Sequence, residues 1–456
     1  MKKIILALLA FAQILSAQKI EVPDFSVNTF DNGLTVVLVE NKKLPLIQMR
    51  LMLKGGVRLD PDGSDGLISI TAELLKKGTA TRKAERIAEE IEFLGSNINV
   101  SISYDYVSLS SEFLKINFQD GLKVFTDVVT NPTFPSSEVD KEIKKRFAEI
   151  DAALEEPNAI ISAAFSKEIF EGHPYGKILK GRKRSLLNID QNTIKWHYKK
   201  YFAPNNSLLV LFGDFEKAEI LGQLKNAFAD WKKGDELKFE SKEQKYFSGR
   251  QLIIIDKPDV TQTQIRFGNK GMKVNDKDHY AVQVANTVFG TGFTSRLVEE
   301  IRVKRSLSYG ASSSFAAYQD GGTYLISTFT KNSTVKEVFD VLFTELKKYR
   351  EKGPTDKEIL KAKNYLIGDF ARDLQSPEIL TMYIADMIFY KRGESYLADW
   401  VNNIRKVTHN DIEKVIQKYF LMDDLLMMIV TNSSEVKPQV EFFGKIKEVN
   451  YLSILE

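Results

Sequence analysis

An α+β architecture made of two tandem copies of one unit follows from three features of the chain. The first is an internal duplication. FPSSEVDKEIKKRFAEIDAALEEP, Phe134 to Pro157, returns in altered form as GPTDKEILKAKNYLIGDFARDLQSP, Gly353 to Pro377, so that Glu138 answers to Glu358, Glu149 to Asp369 and Pro157 to Pro377, each 220 residues on. KKYFAPNNSLLVLF, Lys199 to Phe212, answers in the same way to QKYFLMDDLLMMIV, Gln417 to Val430, at an offset of 218. Two matches at nearly one offset mark a repeat. The second feature is period-two apolar patterning, as in Thr35–Glu40, Ile47–Lys54, Asn97–Phe113 and, in the second copy, Gly322–Thr330. Such alternation predicts strands with one face turned to a core. The third is helical periodicity, clearest over Glu138–Leu154, where Val139, Ile143, Phe147, Ile150 and Leu154 form one stripe spaced for burial.

The chain therefore divides into a leader at 1–17, a first domain at 18–231, a charged linker at 232–248 (KKGDELKFESKEQKYFS) and a second, homologous domain at 249–456. At 456 residues it is too long for one ordinary core. Met1–Ala17 has the form of a secretory signal, with Lys2 and Lys3 ahead of an apolar run from Ile4 to Ile14 and a cut expected after Ala17. That run is too short for a bilayer span, and no later segment approaches one, so a periplasmic protein without stable membrane insertion is expected.

Composition narrows the function classes. Apolar residues make up 43% and charged residues 27%, and 64 basic against 61 acidic side chains leave a formal net charge of +3. No chain-wide attraction to nucleic acid follows, and the basic tract Lys180–Arg184 is read as solvated surface. The chain has no cysteine, which removes disulfides, thiolate metal sites and a cysteine nucleophile. His173, His197, His279 and His409 are far apart in sequence, so no histidine zinc site can be read from spacing, and His173 in HPYG reads as a structural turn residue.

The segment GLISITAELLKKGT, Gly66–Thr79, resembles the opening helix of the insulinase, pitrilysin and mitochondrial-processing-peptidase family, where the pattern is G-x-x-H-x-x-E-H-x-x-x-x-G-T. Gly66, Leu67, Leu74, Gly78 and Thr79 keep the frame. The chemistry is gone, because Ser69 stands at the first His, Ala72 at the Glu base and Glu73 at the second His. Two imidazoles at i, i+4 share a helical face and can hold zinc while the Glu activates water; Ser69 and Glu73 cannot do the same. The resemblance covers Phe30 to Asn432 and extends to HPYG at His173–Gly176, Gly181, Tyr201–Phe215, Asp256–Ile265 and Phe289–Gly310. It implies that each domain is a mostly antiparallel sheet packed with helices, the pair forming half of a clamshell. It also puts Glu149 at the third zinc-ligand position, although on its own a Glu in that charged helix reads as an ion-pair carboxylate. A weak site for a harder cation at Ser69, Glu73 and Glu149 is the lesser alternative.

In active members of the family an Arg and a Tyr seven residues apart bind the substrate carbonyl as it becomes tetrahedral, and Arg302 and Tyr309 keep that spacing here. The resemblance thus implies a subunit with no metal or other cofactor of its own, paired with an H-x-x-E-H chain that carries the zinc. Peptide substrates would add a strand at the edge near Gly95, Asn97 and Asn99, with the glycine-containing loop Phe289–Leu297 as a chamber contact. Two alternatives stand beside this reading: a catalytically inactive peptide-binding or structural relative, and, last, an independent peptidase using an unusual metal.

Overall fold

The computed structural model describes residues 23–456; the leader read at 1–17 lies outside the described residues. Two six-stranded mixed sheets form the frame. The first has the order β1-β2-β6-β3-β5-β4 and the second β12-β7-β11-β8-β10-β9. In the first sheet, β1 is Phe25–Thr29, β2 Thr35–Glu40, β3 Leu46–Lys54, β4 Asn99–Ile102, β5 Tyr106–Leu114 and β6 Ser207–Gly213. In the second, β7 is Arg250–Asp256, β8 Gln262–Lys270, β9 Ala311–Ala317, β10 Gly322–Lys331, β11 Leu425–Thr431 and β12 Lys445–Asn450. Most neighbours are antiparallel; β2 with β6, β7 with β11 and β7 with β12 run parallel.

The strand read as one run over Asn97–Phe113 is a hairpin. β4 and β5 pair antiparallel, Asn99 facing Ser110 and Ile102 facing Val107, across a turn at residues 103–105. Asp105 makes the break, since its buried carboxylate takes hydrogen bonds from outside the hairpin and does not face a core as a strand residue would.

The centre of each sheet is apolar on both faces. β6 and β11 are buried at every residue, which is why SLLVLF and LLMMIV read as continuous rather than alternating runs. One face of the first sheet, with Val36, Leu38, Met49, Leu51, Leu209 and Leu211, packs on first-half helices. Its other face, with Val37, Val39, Met52, Leu208, Val210 and Phe212, joins the second-half core. There the Pro377–Phe389 helix crosses β3 and β6. The reciprocal contact is made by the Pro157–Ile169 helix, which crosses β8 and β11 of the second sheet and buries Ile160, Ile161, Phe165 and Ile169. Each half therefore covers the back of the other's sheet with one helix.

Polar contacts repeat the exchange. Buried Arg50 of β3 lies 3.9 Å from Glu378 of the helix crossing it, and buried Arg266 of β8 donates to Asn158 of its own crossing helix. Where the hairpin turns meet, Asp105 accepts hydrogen bonds from Tyr175 Oη, from the Gln319 amide at 2.9 Å and from Tyr390 Oη at 3.0 Å. Arg58 joins Asp105, at 3.9 Å, to Asp320, at 2.6 Å.

The stretch 232–248 has no regular secondary structure but is tied down. Asn205 and Asn206 donate to the Gly234 and Asp235 carbonyls, and buried Gln244 bridges the Ile169 carbonyl to the Gly322 amide. No helix among the described residues is long and apolar enough to cross a membrane.

Candidate functional site

The degenerate motif forms a short helix, Leu67–Leu74, entered through Gly66 in the left-handed region at φ 93°. A side chain on Gly66 would collide with the Gly181 backbone at 2.7 Å, so these two glycines of the family pattern are there for close approach. Asp60 caps the helix, accepting from the Gly66 amide at 2.8 Å and the Ile68 amide at 2.6 Å. Ser69 and Ala72 are buried beneath it, whereas Glu73 is partly exposed and pairs with Lys76 at 3.1 Å.

Against this helix packs the Ser136–Glu155 helix. Its buried stripe differs from the expected one: Val139, Ile150 and Leu154 are buried, but Ile143 and Phe147 are only half-buried, and Glu142 and Arg146 take the inner positions at 6% and 5% exposure. The reason is an ion pair at i, i+4. Arg146 Nε donates to Glu142 Oε1 at 3.0 Å, and the guanidinium goes on to donate to Ser69 Oγ at 3.2 Å and to lie 3.7 Å from Glu149 Oε2.

The fold thus does bring Ser69 and Glu149 together, and a guanidinium stands between them. Glu149 is further surrounded by Lys145 at 3.6 Å and Lys180 at 3.5 Å. This donor set does not fit zinc: it lacks imidazole, and its two nearest members are already held by a fixed positive charge. The weak site for a harder cation fails for the same reason, and no group of acidic or histidine side chains able to hold a metal occurs among the described residues. Sequence reasoning missed Arg146. Its signal was its place four residues after Glu142 and three before Glu149.

Other expectations sort plainly. The Lys180–Arg184 tract is not merely solvated: Lys180 pairs with Glu149, Lys183 with Asp151, and Arg182 with buried Asp65 at 2.9 Å. His173 is a turn residue, its Nδ1 accepting from the Tyr175 amide at 3.2 Å. Burial holds its imidazole below the usual range. Gly95 closes the Ala84–Phe93 helix: its amide reaches the Glu92 carbonyl and the Ser96 amide the Ile91 carbonyl, with Gly95 at φ 68°. Asn97 and Asn99 follow at the start of β4, linked by a 3.0 Å side-chain hydrogen bond, and β4 is an edge of its sheet.

In the second half, Arg302 lies in a π-helical turn, Val298–Val303, and Tyr309 just before β9. A left-handed Ser306, at φ 53°, turns the chain between them. Tyr309 is 79% exposed, and Arg302 is stacked over the exposed ring of Phe293, 4.8 Å from its centre. Neither side chain has an intrachain hydrogen bond or ion pair among the described residues. Neither lines the recess of about 350 Å³ beside Arg146 and Glu149. The glycine loop is shorter than expected at both ends, because Phe289 and Gly290 complete the His279–Gly290 helix, Arg296 and Leu297 are already helical, and only Thr291–Ser295 is loop.

Comparison with known proteins puts both halves in one family. Residues 35–183 match the model of insulinase (peptidase family M16), and residues 188–366 match the model described as the peptidase M16 inactive domain. The chain belongs to peptidase family M16. Among its M16 relatives, a protein of Helicobacter pylori called non-peptidase homolog YmxG is 26% identical over 88% of this chain and 93% of its own length. An uncharacterized zinc protease of Rickettsia felis is 26% identical over 75% of this chain and 82% of its own. The solved structure of a peptidase M16 inactive domain from Pseudomonas fluorescens superposes with a TM-score of 0.84 at 25% identity, covering 89% of this chain and 97% of that one.

Proposed function

We propose that this M16 chain is the non-metal-binding subunit of a two-chain peptidase, working in the periplasm on flexible peptides. The observation that carries the reading is an asymmetry of preservation. Ser69, Ala72 and Glu73 have lost the chemistry of the metal motif, and Arg146 stands between Ser69 and Glu149, while Arg302 and Tyr309 are intact and exposed. A guanidinium and a phenol are donors suited to a carbonyl oxygen gaining negative charge.

In this reading an H-x-x-E-H partner supplies zinc and the activated water. This chain contributes Arg302 and Tyr309 as hydrogen-bond donors to the scissile carbonyl oxygen and walls half of the chamber. The exposed ring of Phe293, stacked on Arg302, would restrain the guanidinium at this surface. The edge of β4 near Asn97 and Asn99 offers backbone groups to an extended peptide.

A second reading, a catalytically inactive peptide-binding or structural homologue, is favoured by the name of the Helicobacter pylori relative and by the inactive-domain match. Affinity purification from native periplasm separates the two. Recovery of an H-x-x-E-H chain in equal amount, with zinc binding and peptide cleavage only by the pair, supports the split enzyme. Recovery of this chain alone or as a homodimer, without zinc, supports the inactive homologue.

A further inference from the structure

The recess of about 350 Å³ in the first half opens between the Ser136–Glu155 helix, the Pro157–Ile169 helix and the stretch 177–181. Ile150, Ala153, Ala159, Ala163, Ile178 and Leu179 make its walls, so it is apolar, and exposed Ser162 lies at its rim. Packed interiors keep few voids larger than a water molecule, whereas this volume is that of a small ligand pocket. The duplication shows that the fold does not require small side chains here. At the positions 220 further on, Phe370 stands for Ile150 and Tyr383 for Ala163, and the two rings stack with centres 5.9 Å apart.

One wall comes from far along the chain. After β12, which pairs with β7 in the second sheet, the chain crosses to the first half, where Ile454 and Leu455 are buried at 8% and 5% exposure. Leu455 lines the recess. Its carbonyl accepts from the Lys183 amide at 3.1 Å, and the next carbonyl, that of Glu456, accepts from the next amide, that of Arg184, at 3.2 Å. The rest of the segment is lightly held. Leu452 and Ser453 are exposed and bond only back to Asn450, and Tyr451 meets Lys257 Nζ, 4.4 Å from its ring centre. Tyr451–Glu456 thus sits on the first half as a peptide ligand does, with an apolar side chain in a recess and consecutive carbonyls on consecutive amides.

We propose that this recess, with the Lys183 and Arg184 amides, is a peptide-binding site that Tyr451–Glu456 occupies in cis, and that it takes from outside a peptide of the same chemistry, two apolar residues followed by an acidic one. The acidic preference follows from the tract beside it: of the four cations in Lys180–Arg184, Arg184 alone has no ion pair among the described residues, and its amide is the one that holds Glu456. Exchange keeps every contact, since the incoming peptide covers the recess and the amides that the outgoing segment leaves. The resident segment wins while it is intact, because its tether gives it a high effective concentration. This site is separate from Arg302 and Tyr309 and stands whether or not the chain serves in a peptidase.

The test is fluorescence anisotropy of a labelled Tyr-Leu-Ser-Ile-Leu-Glu peptide, blocked at both ends, titrated with the full chain. Leu455→Asp, which withdraws the resident side chain, is expected to bind the peptide about tenfold or more tightly than the parent chain does. Adding Ala163→Phe to that variant puts a ring into the recess and is expected to weaken binding about tenfold or more. A peptide with aspartate in place of its second leucine is expected to lose about as much. A chain ending at Asn450 keeps the test open if Leu455→Asp does not fold. The proposal is overturned if neither variant binds the peptide when folded, if the parent chain binds it as tightly as they do, or if Ala163→Phe leaves binding unchanged.

Discussion

At Arg146 a fixed positive charge stands between Ser69 and Glu149, two positions where the family pattern places metal ligands. With Glu142 it forms a buried pair, and removing one partner of such a pair costs about 3 to 5 kcal/mol because the other is left uncompensated. Arg146→Met is expected to lose stability in that range by denaturant unfolding, and Glu142→Leu added to it should recover much of the loss. Restoring Ser69→His, Ala72→Glu and Glu73→His is expected to give zinc retention after dialysis only when Arg146 is also replaced; retention with Arg146 in place would remove its charge from the argument. For the second-half pair, the proposed two-chain enzyme carries an expectation: Tyr309→Phe should lower kcat about 100- to 1000-fold, the usual effect of losing one oxyanion donor, with assembly and zinc content unchanged. Unchanged turnover would sink the oxyanion assignment. The lost ligands were legible from Gly66–Thr79 alone. Arg146 was not, since an Arg after two lysines on a charged helix looks like solvated surface until tertiary packing turns it inward.

Among elements, the loop bearing Phe293 is anchored by Arg296, whose Nε and Nη2 reach the two oxygens of Glu358 at 2.7 and 2.9 Å. Glu358 also completes the capping box of the Asp356–Asp373 helix with Thr355. Burial pushes its carboxyl up, but hydrogen bonds from Arg296 and Thr355 outweigh that and hold it down at about 2. A carboxyl depressed on folding gives stability that is complete above its unfolded value near 4.5 and is lost as pH falls toward 2. Melting temperature is therefore expected to fall across that window, and Glu358→Gln should flatten this part of the profile; an identical profile in the variant would contradict the anchor. Alternation located β2 and β3 to within one residue, because each buries a core face. It ran β4 and β5 together because the polar turn at Asp105 is itself buried, so the usual sign of a turn, exposed polar residues, was missing.

For the molecule as a whole, the duplication announced two units but not their exchange of helices. One clue was present: the Pro157–Ile169 and Pro377–Phe389 helices are apolar on more than one side, as helices held between two layers must be. Since each core contains strands of both halves, unfolding is expected as one calorimetric transition, with van't Hoff and calorimetric enthalpies equal. Two resolved transitions would show the halves to be thermodynamically independent. The same exchange sets an order of exposure along the chain. The first sheet is complete in sequence at Gly213, yet the helix that shields its rear face starts at Pro377, about 160 residues later. A fragment ending between the two carries every strand of that sheet with Val37, Val39, Met52, Val210 and Phe212 uncovered, so such truncations are expected to bind a holding chaperone that the full chain does not.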